Sequence, residues 1–146
     1  MEKTRITQLI RDGKLRIRST DIPRIKSLLD SARNNAEVAI KVPITEESAT
    51  LIFREFYESI RQIGDARWWS LGYEPTASHE VSMEILKEIN IKDRLKLNSL
   101  ERFRRTRNNA NYRGYKVTIQ EAKEIVDFWN SCALELMKKI ESSVNK

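Results

Sequence analysis

Apolar residues recur at three- and four-residue steps through most of the chain, and that spacing predicts helices. The first covers roughly Lys3–Arg11, with Ile6, Leu9 and Ile10 on one side, and stops at Asp12-Gly13. Charged and apolar residues alternate from Lys14 to Arg18, which predicts a short extended arm. A second helix starts near Thr20-Asp21, either of which can cap its free amides, and places Pro23 in the first turn, where a missing N–H costs nothing. Its stripe is Ile25, Leu28, Leu29, Ala32, Ala36, Ala39 and Ile40, closed by Pro43. A third begins near Thr45-Glu46-Glu47, with acids in the favourable first turn. Its face comprises Ala49, Ile52, Phe53, Phe56, Ile60 and Ile63, and its apolar content continues through Trp68, Trp69 and Leu71 to Gly72. After the turn-rich Tyr73-Glu74-Pro75-Thr76, a shorter helix is expected over 78–89, then a fifth from Asp93 to about Tyr112, ending before Gly114. Thr118-Ile-Gln-Glu121 matches a capping box and opens the last helix, whose apolar face runs from Ala122 to Ile140; the tail Ser142–Lys146 is expected to fray.

Long amphipathic helices of this kind are not stable alone in water and must bury their stripes against one another. The pattern predicts an all-α fold, an up-and-down four-helix bundle core with short additional helices. Residues 1–19 form an N-terminal helix and arm, and 20–142 the bundle. Only four glycines and three prolines interrupt the chain, which argues against a sandwich or barrel. A single cysteine, Cys132, excludes an internal disulfide, and with one histidine, His79, no usual zinc ligand set assembles. No metal or cofactor is expected. The charged start, Met1-Glu-Lys-Thr-Arg5, lacks the apolar stretch of a signal peptide, and no run approaches the roughly 20 apolar residues of a membrane span, so a cytoplasmic protein is expected. The net charge of +6 is compatible with a polyanionic partner without establishing one.

Chemistry concentrates between Glu101 and Gly114, where five arginines, three asparagines and one tyrosine fall together. Leu100, Phe103 and Ala110 share a helical face, and Arg107 fits the step between Phe103 and Ala110. An arginine turned inward needs a carboxylate, a helix C-terminus, a subunit partner or a phosphate, because an unpaired buried charge is costly. Arg102, Arg104 and Arg105 fall on more exposed phases, as a solvated face or a phosphate-binding patch. Asn108, Asn109 and Asn111 suit a fraying helix end, or amides that grip an anion beside the guanidinium. Tyr112 lies five positions after Arg107, close enough to share a groove. Asp65 offers Arg107 an ion-pair partner, or pairs with Arg61 four residues earlier. Trp68, Trp69 and Trp129 stand outside any basic stretch and read as core or dimer contacts.

Two segments carry a resemblance. Leu71-Gly-Tyr-Glu-Pro-Thr-Ala-Ser-His-Glu80 is similar to the Gly-Tyr-x-Pro…His turn of the HEPN domains. Arg107-Asn-Asn-Ala-Asn-Tyr-Arg-Gly114, followed by the Thr118-x-x-Glu-Ala122 helix start, resembles the family's site segment in the same order. The resemblance implies a helical core that pairs as a homodimer, and a metal-independent ribonuclease or RNA-binding protein of a toxin–antitoxin system, partnered by a nucleotidyltransferase antitoxin. Nucleotide binding, or protein interaction without catalysis, is the alternative it carries. It places Arg107, Asn108 and Tyr112 at the catalytic positions and Arg104, Arg105 and Arg113 beside them as nucleic-acid contacts. The family's histidine is absent: Tyr112 stands four intervening residues after Arg107, and His79, the only histidine, belongs to the start of the fourth helix. Histidine's pKa near 6.5 suits proton transfer at neutral pH, whereas a phenol near 10 is a poor base but a serviceable hydrogen-bond donor.

Overall fold

A computed structural model describes residues 1–76 and 79–145, without the side chain of His79. The protein is mostly helical: α1 (Lys3–Arg11), α2 (Ile22–Ala39), α3 (Ala49–Ser70), α4 (His79–Leu86), α5 (Leu100–Tyr112), α6 (Ile119–Phe128) and α7 (Leu134–Val144). No helix among the described residues is long and apolar enough to cross a membrane.

The organising element is α3. Ile52, Phe53, Phe56, Tyr57, Ile60, Ile63, Gly64, Ala66, Trp68 and Trp69 are all buried, a span wider than one stripe, as a helix packed on several sides requires. α2 runs antiparallel along it, so that Ser31 meets Gln62 and Arg24 lies over Trp69. α5 runs antiparallel on another side, with Phe53 against Phe103, while Phe103 also meets Phe128 of α6. α6 and α7 continue one into the other through a wider π turn at Trp129–Ala133, where Trp129 packs on Phe56. One large apolar core fills the space between these helices.

Local chemistry sets the ends. The Asp21 side chain accepts from Arg24 N–H at the start of α2. The Thr118–Glu121 capping box forms in both directions. Burial pushes the Glu121 carboxyl up, but bonds from Tyr115 and Thr118 outweigh it and hold the group below its ordinary value. Replacing a capping hydroxyl costs about 1 kcal/mol. Thr118→Ala should therefore lower the unfolding free energy by about that much in a urea titration, with the loss shrinking as acid neutralises Glu121 below its depressed pKa.

Several boundaries differ from the sequence expectation. Thr45 and Ser48 bond each other's backbone N–H reciprocally, at 2.9 and 3.1 Å, so the regular helix begins at Ala49 rather than near Thr45. The expected fifth helix divides: Arg94–Ser99 is a 3₁₀ segment whose three-residue period aligns Leu97 with Leu100 and Phe103, and α5 proper starts at Leu100. The turn-rich Tyr73–Pro75 is strand β2, which pairs antiparallel with the arm Leu15–Ile17, strand β1. The arm is thus joined to the body, and Leu9, Leu15, Trp68, Val81 and Ile85 form a second, smaller apolar cluster beneath it. The tail expected to fray stays helical through Val144. Ser78, the expected start of the fourth helix, and Lys146 lie outside the described residues.

Gly64 governs how α4 docks. A Cβ built there would overlap the Ser82 carbonyl oxygen and lie 2.8 Å from its carbon. The absent side chain lets α4 approach α3 closely enough for the Trp68 indole N–H to donate to Val81 O at 2.9 Å. Cys132 is fully buried, and burial pushes its thiol up to about 11. Native protein should resist a thiol-specific disulfide reagent at pH 7.5, and reaction should appear only as the chain unfolds.

Candidate anion-binding face on α5

α5 turns Leu100, Phe103, Thr106 and Ala110 into the core. The step between Phe103 and Ala110 therefore belongs to Thr106, 8% exposed, rather than to Arg107. Both residues fit the spacing, and the smaller one packs against α6, where its hydroxyl approaches Glu121 at 3.5 Å. Arg107 sits on the flank, half-buried, and faces α3.

There its guanidinium carbon lies 5.7 Å from the ring centre of Tyr57 and 5.8 Å from that of Tyr112. Aromatic faces attract a cation through their quadrupole and fix its plane. Its one hydrogen bond among the described residues runs from Nη1 to Asn108 Oδ1 at 3.3 Å. No carboxylate among the described residues pairs with it. Sequence reasoning thus placed Arg107, Asn108 and Tyr112 together, and the structure brings them into contact. The helix ends just beyond: Gly114 takes φ +67°, a conformation other residues rarely adopt, and the N–H of Tyr115 turns back to Asn109 O at 3.1 Å.

The remaining sequence-derived residues divide. Arg104 binds Glu101 on its own helix, and Arg102 binds Glu124 of α6. The hydrogen bond from Arg104 holds the Glu101 carboxyl below its usual range. Arg105 and Arg113 are exposed, and no ion pair engages either among the described residues. The ion pair expected between Asp65 and Arg107 does not form. Asp65 is held by Arg61, one turn away on the same helix, and by the Ser82 hydroxyl, and Arg61 also grips Glu58. Asp65 is largely buried, which raises its carboxyl above the ordinary value despite those two partners. The His79 side chain lies outside the described residues.

Two contributors on α3 escaped the sequence reading. Tyr57 is buried beneath Arg107, and burial pushes its phenol far above its ordinary value against the pull of Arg107, Arg104 and Arg61, so it is no base near neutral pH. Arg54 donates to Asn111 Oδ1 at 2.7 Å and Ala110 O at 3.3 Å, satisfying the carbonyl end of α5 and fixing Asn111. A signal for Arg54 is its place in a row, with Glu58, Arg61 and Asp65, of charged residues at helical spacing on α3, with Tyr57 between them.

The face is open rather than enclosed, with Tyr112 75% exposed and Arg105, Asn109 and Arg113 exposed around it. Comparison with known proteins returns no matching family model, no matching curated protein and no matching solved structure. Among the described residues, no group of three histidine, cysteine or acidic side chains is placed to hold a metal ion.

Proposed function

We propose that this is a HEPN-like RNA-binding protein in which Arg107 grips a backbone phosphate. The proposed core is an up-and-down four-helix bundle of α2, α3, α5 and the α6–α7 rod. The observation that carries the reading is the condition of the Arg107 guanidinium: half-buried, clamped between two phenol rings, and paired with no carboxylate among the described residues. A guanidinium so oriented keeps most of its N–H fork free, and that fork matches two oxygens of a phosphate. Asn108 accepts from Arg107 and steadies it, Tyr112 offers a ring for a base to stack on, and exposed Arg105 and Arg113 extend the positive charge along a strand. An open face suits a polymer better than an enclosed nucleotide.

The motif resemblance of Arg107-Asn-Asn-Ala-Asn-Tyr112 supports the same reading and also bounds it. With tyrosine in the histidine's place, no group of ordinary pKa near neutrality stands beside the Arg107 guanidinium among the described residues, and binding without fast cleavage is expected. In this proposal the protein pairs as a homodimer that duplicates the face, and the corresponding partner is a nucleotidyltransferase antitoxin. Incubation of labelled single-stranded RNA with the protein in EDTA tests the chemistry. Retarded but intact RNA is expected; rapid cleavage that persists in Arg107→Ala would refute this assignment of the site.

The exposed Tyr112 beside an arginine also fits a protein interface, since tyrosine and arginine are common anchors there. That reading requires Arg107→Ala to change the oligomer mass in light scattering, with RNA left unbound by either form.

A further inference from the structure

The seam between the antiparallel helices α3 and α5 carries arginines that divide by partner. At one end, Arg61 and Arg104 are bound to carboxylates. Further along, Arg107 lies over the Tyr57 ring. Arg54, one turn before Tyr57 on α3, reaches Asn111, one turn after Arg107 on α5. Neither Arg54 nor Arg107 pairs with a carboxylate among the described residues; each bonds the side-chain oxygen of an asparagine instead. Beyond them, Val117 N–H donates to the Thr50 hydroxyl, and the loop after α5 closes the seam. Two acid-free rungs thus stand between a carboxylate-bound end and a closed one, about 5.4 Å apart along the helices, the length of one turn.

The two rungs present the same chemistry. A guanidinium only donates, so Oδ1 of Asn108 faces Arg107, Oδ1 of Asn111 faces Arg54, and each amide keeps its Nδ2 hydrogens for another partner. What each rung offers outward is a cation and N–H donors, the complement of a phosphate. Arg54 and Asn111 are exposed, and Tyr112, next in the chain, turns its exposed ring toward Arg107.

We infer that this face holds two consecutive phosphates of one RNA strand, the first on Arg107 and Asn108 and the next on Arg54 and Asn111, with the base between them against Tyr112. The inference rests on the RNA-binding reading above and adds to it a second phosphate site, contributed by α3. A ligand with one phosphate fills one rung only. Pyrophosphate, whose two phosphates share an oxygen, is too short to span both.

Binding of a labelled single-stranded RNA decamer in EDTA, measured over a series of salt concentrations, tests the assignment. Three variants each lower the net charge by one. Arg54→Gln removes the second guanidinium. Asn111→Asp leaves Arg54 in place but gives it a carboxylate, which keeps the end of α5 tied to α3. Arg11→Gln removes an exposed charge from α1, outside the face. Affinity is expected to fall about fivefold in Arg54→Gln and in Asn111→Asp, the scale of one exposed hydrogen-bonded contact, and to change little in Arg11→Gln. The slope of log affinity against log salt should lose about 0.7 in the first two, as for one phosphate contact on a single strand, and keep its value in the third. Inorganic pyrophosphate at matched ionic strength should leave the decamer bound.

Equal losses in all three variants, or unchanged affinity and slope in Arg54→Gln and Asn111→Asp, would overturn the second phosphate site. So would a loss in Arg54→Gln alone, since that assigns Arg54 to holding α5 rather than to the strand. Displacement by pyrophosphate that Arg54→Gln abolishes would overturn it too, by assigning the rungs to a free polyphosphate. In each of these cases a weakened Arg107→Ala variant leaves the first reading standing. A decamer that stays unbound, or binds Arg107→Ala as well as wild type, refutes both.

Discussion

A Gly64→Val substitution is expected to be the most damaging single change in the protein. The new side chain would meet the Ser82 carbonyl, which is backbone and cannot rotate away, so α4 must move off α3. That movement would strain the Trp68–Val81 hydrogen bond and the Ser82–Asp65 contact, and open the small cluster around Leu15 and Ile85. Overpacking of this kind costs about 3 kcal/mol, and unsatisfied groups add to it. For a chain of this length, about 3 kcal/mol corresponds to a fall in Tm of roughly 10 °C. Gly64→Ala is the sharper version. Alanine gains about 1 kcal/mol of helix propensity over glycine, so an exposed site would be stabilised. Here the steric cost should outweigh that gain and lower Tm. A raised Tm for Gly64→Ala in a thermal melt would contradict the close approach of the two helices.

Arg107→Ala should produce the largest functional change with little structural one. It removes a half-buried guanidinium that forms no ion pair among the described residues, so no carboxylate among them is left stranded. The lost aromatic contacts, about 0.5–1 kcal/mol each, are opposed by relief of an uncompensated charge. Stability should therefore change by less than about 1 kcal/mol. RNA affinity should fall about tenfold or more, as expected for loss of one charge-assisted contact worth about 1.5–3 kcal/mol. Arg107→Lys keeps the charge but not the fork and should fall between the two. By contrast, Arg104→Ala removes an arginine already bound to Glu101, and a smaller effect on affinity is expected. Equal losses in the two alanine variants would indicate diffuse attraction by a basic surface rather than a site.

How far these features were legible in the sequence depended on how local they are. Asp21 before Pro23, the Thr118–Glu121 box and Gly114 act within one turn, and each stands at a helix end as the spacing predicted. The β1–β2 pairing was not legible as such, because it joins three-residue strands almost sixty positions apart. The spacing assigns Arg107 to α5 but one step further inward than it lies. Steps of four then three through Arg107, and of three then four through Thr106, both connect Phe103 to Ala110, and only the packing against α6 distinguishes them. The sequence offers Asp65 two partners of equal merit, and proximity along α3 favours Arg61. Tyr57 was hidden because a tyrosine in an apolar run reads as core. It is core, and its ring face also supports the guanidinium above it.

The central claim is that Arg107 and its neighbours form the RNA-contacting face, and it is tested most directly by nuclear magnetic resonance. A ¹⁵N-labelled sample would be titrated with a single-stranded RNA decamer in EDTA, following the Arg107 side-chain Nε–H and the amides of residues 104–113. The account predicts progressive shifts at Arg107 Nε–H, Asn108 and Tyr112, with smaller ones at Arg105 and Arg113, and almost none around Val38 and Leu51. Shifts that bypass Arg107 and cluster elsewhere, or an unchanged spectrum at saturating RNA, would contradict it.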